Sequence, residues 1–138
     1  MKLAPGSIVV ITGAASGIGE GLARECVERG YRAALADIEG PALRALVADL
    51  DPSSRTVVSG LVDVANPDSV DGFAQRVLEG PGIPDLIIAN AGVIGPAVPM
   101  WEQSTKDWEW IIGVNLLGVV NTWAAFLPAM IERGTGHV

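Results

Sequence analysis

Three glycines within an eight-residue turn, followed at a set distance by an acidic side chain, are the residues whose types and spacing could first do chemistry. The segment Thr12-Gly13-Ala14-Ala15-Ser16-Gly17-Ile18-Gly19 stands between an apolar run and a helical pattern. A glycine-rich turn in that place lets backbone N–H groups approach a pyrophosphate, which then rests on the N-terminus of the helix. The glycines alone are a weak signal, because glycine turns are common in purely structural loops. Asp37 strengthens it. It lies 18 residues beyond Gly19, close to the spacing of about 20 at which an acidic residue meets a ribose hydroxyl.

The elements that must position these groups follow from the apolar pattern. Residues 7–12 (SIVVIT) form a short β-branched run bounded by Gly6 and Gly13, the mark of a buried strand. Ile18, Leu22, Ala23, Cys26 and Val27 recur at helical spacing over 17–29, and Gly30 closes that helix. Residues 32–36 read as a second strand ended by Asp37, residues 41–50 as a second helix stopped by Asp51-Pro52, and residues 56–64 as a third strand. A third helix starts at Asn66-Pro67-Asp68, where Asn caps, Pro suits the first turn and Asp favours the positive end of the dipole. It fades at 79–82. Residues 85–90 (DLIIAN) give a fourth strand, and a Gly- and Pro-rich loop covers 92–99. Ser104 with Asp107 starts a long fourth helix reaching about Glu132. The alternation predicts an α/β fold over 1–138 as a single domain, its parallel sheet joined by right-handed crossovers. Residues 136–138 read as the opening of a fifth strand, so the chain is expected to stop in mid-element.

Composition narrows the function classes. The chain has 138 residues with a net charge of −7, and no Lys/Arg cluster offsets it, which speaks against nucleic acid. Hydrophobic residues are 49% and aromatics 5%, so the core must be aliphatic, as parallel sheets buried on both faces require. One cysteine, Cys26, excludes an internal disulfide and a cysteine metal cluster, and reads as a buried structural thiol. The N-terminus lacks a long apolar region and is not expected to be a signal peptide. The most apolar stretch, 114–131, is interrupted by Asn115, Asn121, Thr122 and Pro128, and a bilayer needs about 20 mostly apolar residues. A buried helix rather than a membrane span is expected there, with the cytoplasm as the address.

The spacing GxxxGxG with the preceding threonine resembles the short-chain dehydrogenase/reductase family. Further matches follow in order: Asp63-Val64 at the end of strand three, where the family contacts the adenine, Asn90-Ala91-Gly92 at the end of strand four, and Val114-Asn115-Leu116-Leu117-Gly118 in helix four. The family carries Asn-Asn-Ala-Gly at the second of these, and Ala89 replaces its first Asn. The resemblance covers essentially the whole chain and implies a Rossmann-type, doubly wound, three-layer α/β/α fold. It implies a nicotinamide cofactor contacted by Gly13, Ser16, Gly17, Ile18, Gly19, Asp37, Ile38, Asp63, Val64, Asn90, Ala91 and Gly92. It gives Asn115 a catalytic-site role, bending its helix and supporting a water in a proton relay. Without the family, Asp63 reads equally as a strand-end or capping residue, Asn90 as a strand–loop brace and Asn115 as a satisfied buried amide. The Asp37 carboxylate suits the ribose hydroxyls of NAD and would repel the 2′-phosphate of NADP. Ser16 and Ile38 occupy the positions where family members that use NADP place a basic residue, so NAD is favoured.

The implied reaction is hydride transfer between nicotinamide and an alcohol or carbonyl carbon of a small-molecule substrate. Such chemistry needs a positioned acid/base. In the family a Tyr with a Lys four residues later, together with a Ser, fills that role. Here the single tyrosine, Tyr31, is followed four residues later by Leu35, and Lys2 and Lys106 are the only lysines. The chain alone is therefore expected to be inactive; a non-catalytic NAD-binding half-domain or remnant is the alternative. Helix four, apolar on most of its circumference, seeks burial, and the resemblance implies that it packs against the sheet and a partner subunit, so a homo-oligomer formed through it is expected. Trp101, Trp108, Trp110 and Trp123 read mainly as core and interface packing, Trp101 also as a neighbour of the substrate pocket, and His137 as a solvated or strand-edge residue.

Overall fold

The computed structural model describes residues 2–51, 53 and 56–138. Four parallel strands carry it: β1 (Ile8–Thr12), β2 (Arg32–Asp37), β3 (Val57–Leu61) and β4 (Leu86–Ile88). Their order is β3-β2-β1-β4, with Val10 opposite both Ala34 and Ile87. Successive strand residues face opposite sides, and both sides are buried. Val10, Ala34, Ala36 and Ile87 point into one core, completed by Val70, Phe73 and Val77 of α3 (Pro67–Glu79) and by Phe126 and Met130 of α5 (Gly118–Arg133). Val9, Ile11, Ala33 and Leu35 point into the other, against Ala23 and Cys26 of α1 (Gly17–Glu28) and Leu43 and Leu46 of α2 (Gly40–Leu50). This is the expected doubly wound, three-layer α/β/α arrangement.

The helix ends form where the sequence placed them. Asn66 caps α3 by accepting from the Asp68 N–H at 3.1 Å, with Pro67 in the first turn. Gly30 closes α1 at φ +75°, and Cys26 is buried, which pushes its thiol pKa up. Ser104 and Asp107 form a reciprocal capping box at the start of α4 (Thr105–Ile112). Strands β3 and β4 are shorter than the apolar runs that announced them, their pairing ending at Leu61 and Ile88. The part assigned to Pro52 in stopping α2 and the reading of Met1 lie outside the described residues. His137 is a strand-edge residue: its N–H donates to the Asp85 carbonyl and its carbonyl accepts from the Ile87 N–H, both at 3.0 Å. A parallel bridge between Leu86 and His137 thus extends the sheet beyond β4.

The long helix runs over Thr105–Arg133, and a wide π turn at Gly113–Leu117 interrupts it between α4 and α5, at the Asn115 that the resemblance implied would bend its helix. It differs from expectation in being largely exposed rather than buried. Gly118, Thr122, Phe126 and Met130, one residue per turn, are the buried residues of α5, flanked by half-buried Ala125 and Leu127, with Phe126 edge-on to Phe73 at 6.4 Å between ring centroids. β4 lies at one side of the sheet, so only that stripe has a surface to pack on. The tryptophans are accordingly not core residues: Trp101 is 83% exposed, Trp110 49%, and Trp108 and Trp123 each 38%. This helix has the length and composition to cross a membrane, yet its inner stripe is packed against the sheet and α3.

The turn between α2 and β3 closes around one carboxylate. Asp51, buried, accepts from the Thr56 and Val57 N–H groups at 2.6 and 2.8 Å and from the Ser53 hydroxyl at 2.9 Å. These bonds, the Thr56 N–H foremost, hold its carboxyl well below the usual carboxylate range. A depressed folded value means that the stabilisation is complete above the ordinary carboxyl range, near about pH 4, and fades as pH falls through the folded value. Asp51→Asn should therefore lower the urea midpoint at pH 7, with the difference from the parent narrowing on acidification below about pH 4. A difference that stayed constant down to strong acid would show that the charge plays no part.

Candidate functional site

The strand order reverses at β1, whose neighbours β2 and β4 lead off in opposite directions and leave a crevice beyond their C-terminal ends. The glycine turn fills the floor of that crevice. A Cβ on Gly13 would sit 2.7 Å from Ala91 Cα, and one on Gly19 would overlap the Gly13 carbonyl and lie 2.7 Å from Asn90 Nδ2. Gly19 is set by packing, Gly13 by packing and by its φ of +63°, and Gly17 by conformation alone, at φ +55° with open space around it. Ser16 precedes α1 in extended conformation and makes no side-chain cap. Ser16, Gly17 and Ile18 are exposed, Ile18 at 76%. The positive end of α1 is thus presented at the surface without a side-chain acceptor, the electrostatic condition for holding an anion.

Asp37 ends β2 beside that turn. Its Oδ2 accepts from the Ala15 N–H at 2.8 Å and its Oδ1 from the Glu39 N–H at 2.9 Å. The Ala14 N–H also donates to the Ala36 carbonyl at 3.1 Å, so the end of β2 and the glycine turn move as one piece. Each carboxylate oxygen keeps a free lone pair for a further donor. Ile38 follows, exposed. The Asp37 carbonyl accepts from the Val62 N–H at 2.9 Å, which brings the end of β3 alongside. Asp63 is exposed, its Oδ1 accepting from the Ala65 N–H at 3.0 Å. Val64 turns its side chain into the core, leaving only its backbone to meet a ligand.

Asn90 braces the junction. Its Nδ2 donates to the carbonyls of Thr12 and Gly13 at 3.0 and 3.1 Å, while the N–H groups of Asn90 and Ala91 donate to Thr12 Oγ1, each at 3.1 Å. Ala91 is half-buried and Gly92 exposed. Asn115 sits in the π turn and copies a backbone partner: its Oδ1 accepts from the Val93 N–H at 2.8 Å and its Nδ2 donates to the Val93 carbonyl at 2.9 Å. The amide is satisfied as expected, but it is exposed rather than buried, because the π turn swings it towards the loop after β4. Thr12, which entered the sequence reading only as the residue preceding the glycine motif, and Val93 are the members of this network given no role from the sequence. A lone hydroxyl at the end of an otherwise aliphatic strand was the available signal for Thr12. Val93 contributes only backbone and had none. An apolar cleft of about 460 Å³ lies elsewhere, lined by Leu127, Met130, Ile131, His137 and Val138, without convergent polar groups.

Residues 7–138 match the short chain dehydrogenase family, and the chain belongs to it. It is 35% identical over 135 residues to the CLA biosynthesis dehydrogenase/reductase of Lactiplantibacillus plantarum, covering 98% of this chain and 47% of that protein. A short chain dehydrogenase/reductase from Burkholderia phymatum in complex with NAD superposes with a TM-score of 0.91 at 36% identity, over 96% of this chain and 47% of that one. An alcohol dehydrogenase from the archaeon Thermococcus sibiricus, complexed with 5-hydroxy-NADP, does so with a TM-score of 0.87 at 36% identity, over 95% and 56%. The chain spans about half the length of these relatives.

The two kinds of glycine separate experimentally. Gly17→Ala meets no neighbour and should cost only backbone strain, about 1–3 kcal/mol in denaturant unfolding. Gly19→Ala must push the Gly13 carbonyl and Asn90 apart and should cost more, with loss of the native fold in the extreme. Equal costs would mean that the Gly13–Asn90 contact is not rigid.

Proposed function

We propose that this chain is the cofactor-holding half of an NAD-dependent oxidoreductase that moves a hydride between nicotinamide and an alcohol or carbonyl carbon of a small molecule. The observation that carries the reading is the Asp37 carboxylate, locked by the Ala15 N–H beside the uncapped start of α1. A pyrophosphate resting on the Gly17–Gly19 end of the helix puts an adjoining ribose within reach of Asp37. The carboxylate accepts from ribose hydroxyls and repels a 2′-phosphate. Arg24, a cation near the turn, is held by Asp49 at 2.6 Å and Glu20 at 2.8 Å and is not free to answer such a phosphate. The solved relatives include one with NAD and one with an NADP derivative; Asp37, Ser16 and Ile38 favour NAD here. When bound, the nicotinamide supplies or accepts the hydride. Asn90, Ala91 and Gly92 frame its end of the crevice, and Asn115 ties the neighbouring loop at Val93.

The accompanying proton has no carrier in this chain. Tyr31 precedes β2 and so lies at the opposite edge of the sheet from the crevice. Binding without turnover is the expected behaviour of the chain alone, which keeps a non-catalytic NAD-binding half-domain as the second reading. Calorimetry on the 138-residue chain should show NAD binding, NADP weaker, and a loss of about tenfold or more for Asp37→Ala, the size of charge-assisted hydrogen bonds. An Asp37→Ala variant that binds NAD like the parent would sink the ribose assignment.

The exposed apolar side of the long helix, with Ile112, Leu116, Leu117, Val120 and Trp123, is read as a self-association face. Sedimentation should give a dimer or larger species, and Val120→Lys with Trp123→Glu should return a folded monomer whose melting temperature no longer depends on protein concentration. A parent that is already monomeric at high concentration would end this reading.

A further inference from the structure

We propose that Asn121 is a positioning residue for the adenine end of the nucleotide, acting through one peptide group on the Asp63 carboxylate; this rests on the NAD reading above. Asn121 is half-buried on α5, beside the core-facing Thr122. Its Nδ2 donates to the Val64 carbonyl at 2.9 Å. The N–H of the same peptide group, that of Ala65, donates to Asp63 Oδ1 at 3.0 Å. The peptide between Val64 and Ala65 is therefore held at both ends, by an amide from the helix and by the carboxylate. Such a chain polarises along its length and fixes the angle of each member.

The helix leaves this turn no slack. A Cβ on Gly118, one turn before Asn121, would lie 2.6 Å from Val64 Cγ2. Asp63 is further fixed by its own N–H, which donates to Ser69 Oγ at 3.1 Å, and the turn by the Val62 N–H on the Asp37 carbonyl. Without Asn121, the Val64 carbonyl loses its partner at a half-buried junction and the peptide is free to rotate towards water. Rotation carries the Ala65 N–H away from Asp63 Oδ1 and frees the carboxylate to turn. A fixed Asp63 oxygen suits the 6-amino group of adenine, a donor, and does not suit the 6-oxo group of hypoxanthine, an acceptor.

Calorimetric titration with NAD and with nicotinamide hypoxanthine dinucleotide tests this on the parent, Asn121→Leu and Asn121→Ala. The alanine variant admits water to the Val64 carbonyl and serves should the leucine variant fail to fold. The parent is expected to prefer the adenine form. Each variant should lose about fivefold in NAD affinity, the size of one hydrogen bond, while binding the hypoxanthine form as the parent does. Unchanged NAD affinity, equal weakening of both nucleotides, or a parent that does not discriminate between them overturns the Asn121 role. A folded parent that binds neither nucleotide overturns the NAD reading itself and the Asn121 role with it.

Discussion

Four hydrogen bonds between Thr12, Gly13 and the Asn90–Ala91 junction fasten β1 to the end of β4 at the place where the two strands must part. Sheet pairing cannot do this, since the ladder between β1 and β4 ends at Ile11 and Ile88. A hydroxyl and a carboxamide take over from the backbone. Once they are in place, Gly13 is pressed against Ala91 and Gly19 against Gly13, so no side chain fits at either glycine. The start of α1 is thereby aimed at the crevice, and the loop after β4 leaves in the direction from which Asn115 receives it.

The sheet itself explains why so little chemistry lies elsewhere. Val9, Val10, Ile11, Ala34 and Leu35 are fully enclosed between two helical layers, and a polar side chain there would need a partner that the aliphatic cores lack. Polar work is displaced to the strand ends. Asp37, Asp63 and Asn90 each end or follow a strand, and each spends part of its hydrogen-bonding capacity on a neighbouring backbone N–H or carbonyl before any ligand arrives. Their geometry is fixed in advance by the fold.

Much of this was legible in the residues. Aliphatic runs between glycines gave the strands, Asn66-Pro67-Asp68 and Ser104 with Asp107 gave two helix starts, and the glycine turn with Asp37 gave the crevice. Other features were not. The π turn at Gly113–Leu117, which lets Asn115 bond Val93 and sets Gly118 against Val64, carries no mark in helical periodicity; only the resemblance pointed to a bend at Asn115. Apolar residues around most of a helix say that it seeks cover but not where the cover is. The burial expected for the long helix holds only for the stripe Gly118, Thr122, Phe126 and Met130, and Trp123 faces outward. The Asn121 bond to Val64 spans 57 positions, a separation that local pattern cannot register.

The nucleotide site proposed above, in a chain of net charge −7, poses an electrostatic question. A pyrophosphate ordinarily invites Arg or Lys, yet Arg24 is paired with Glu20 and Asp49, Arg29 with Glu25, and Arg133 with Asp85. With these three arginines engaged, the exposed first turn of α1, opened by Gly17 at positive φ and left uncapped by Ser16, offers its dipole to an anion. Backbone N–H groups act only at short range and in fixed directions. That makes rigidity of the turn a condition of binding, and it is why the bonds from Ala14 to Ala36 and from Ala15 to Asp37 matter as much as the glycines. In the NAD reading proposed above, the carboxylate that would reject a second phosphate on the ribose is also the one that braces the glycine turn through the Ala15 N–H, so cofactor choice and cofactor binding would reside in one side chain.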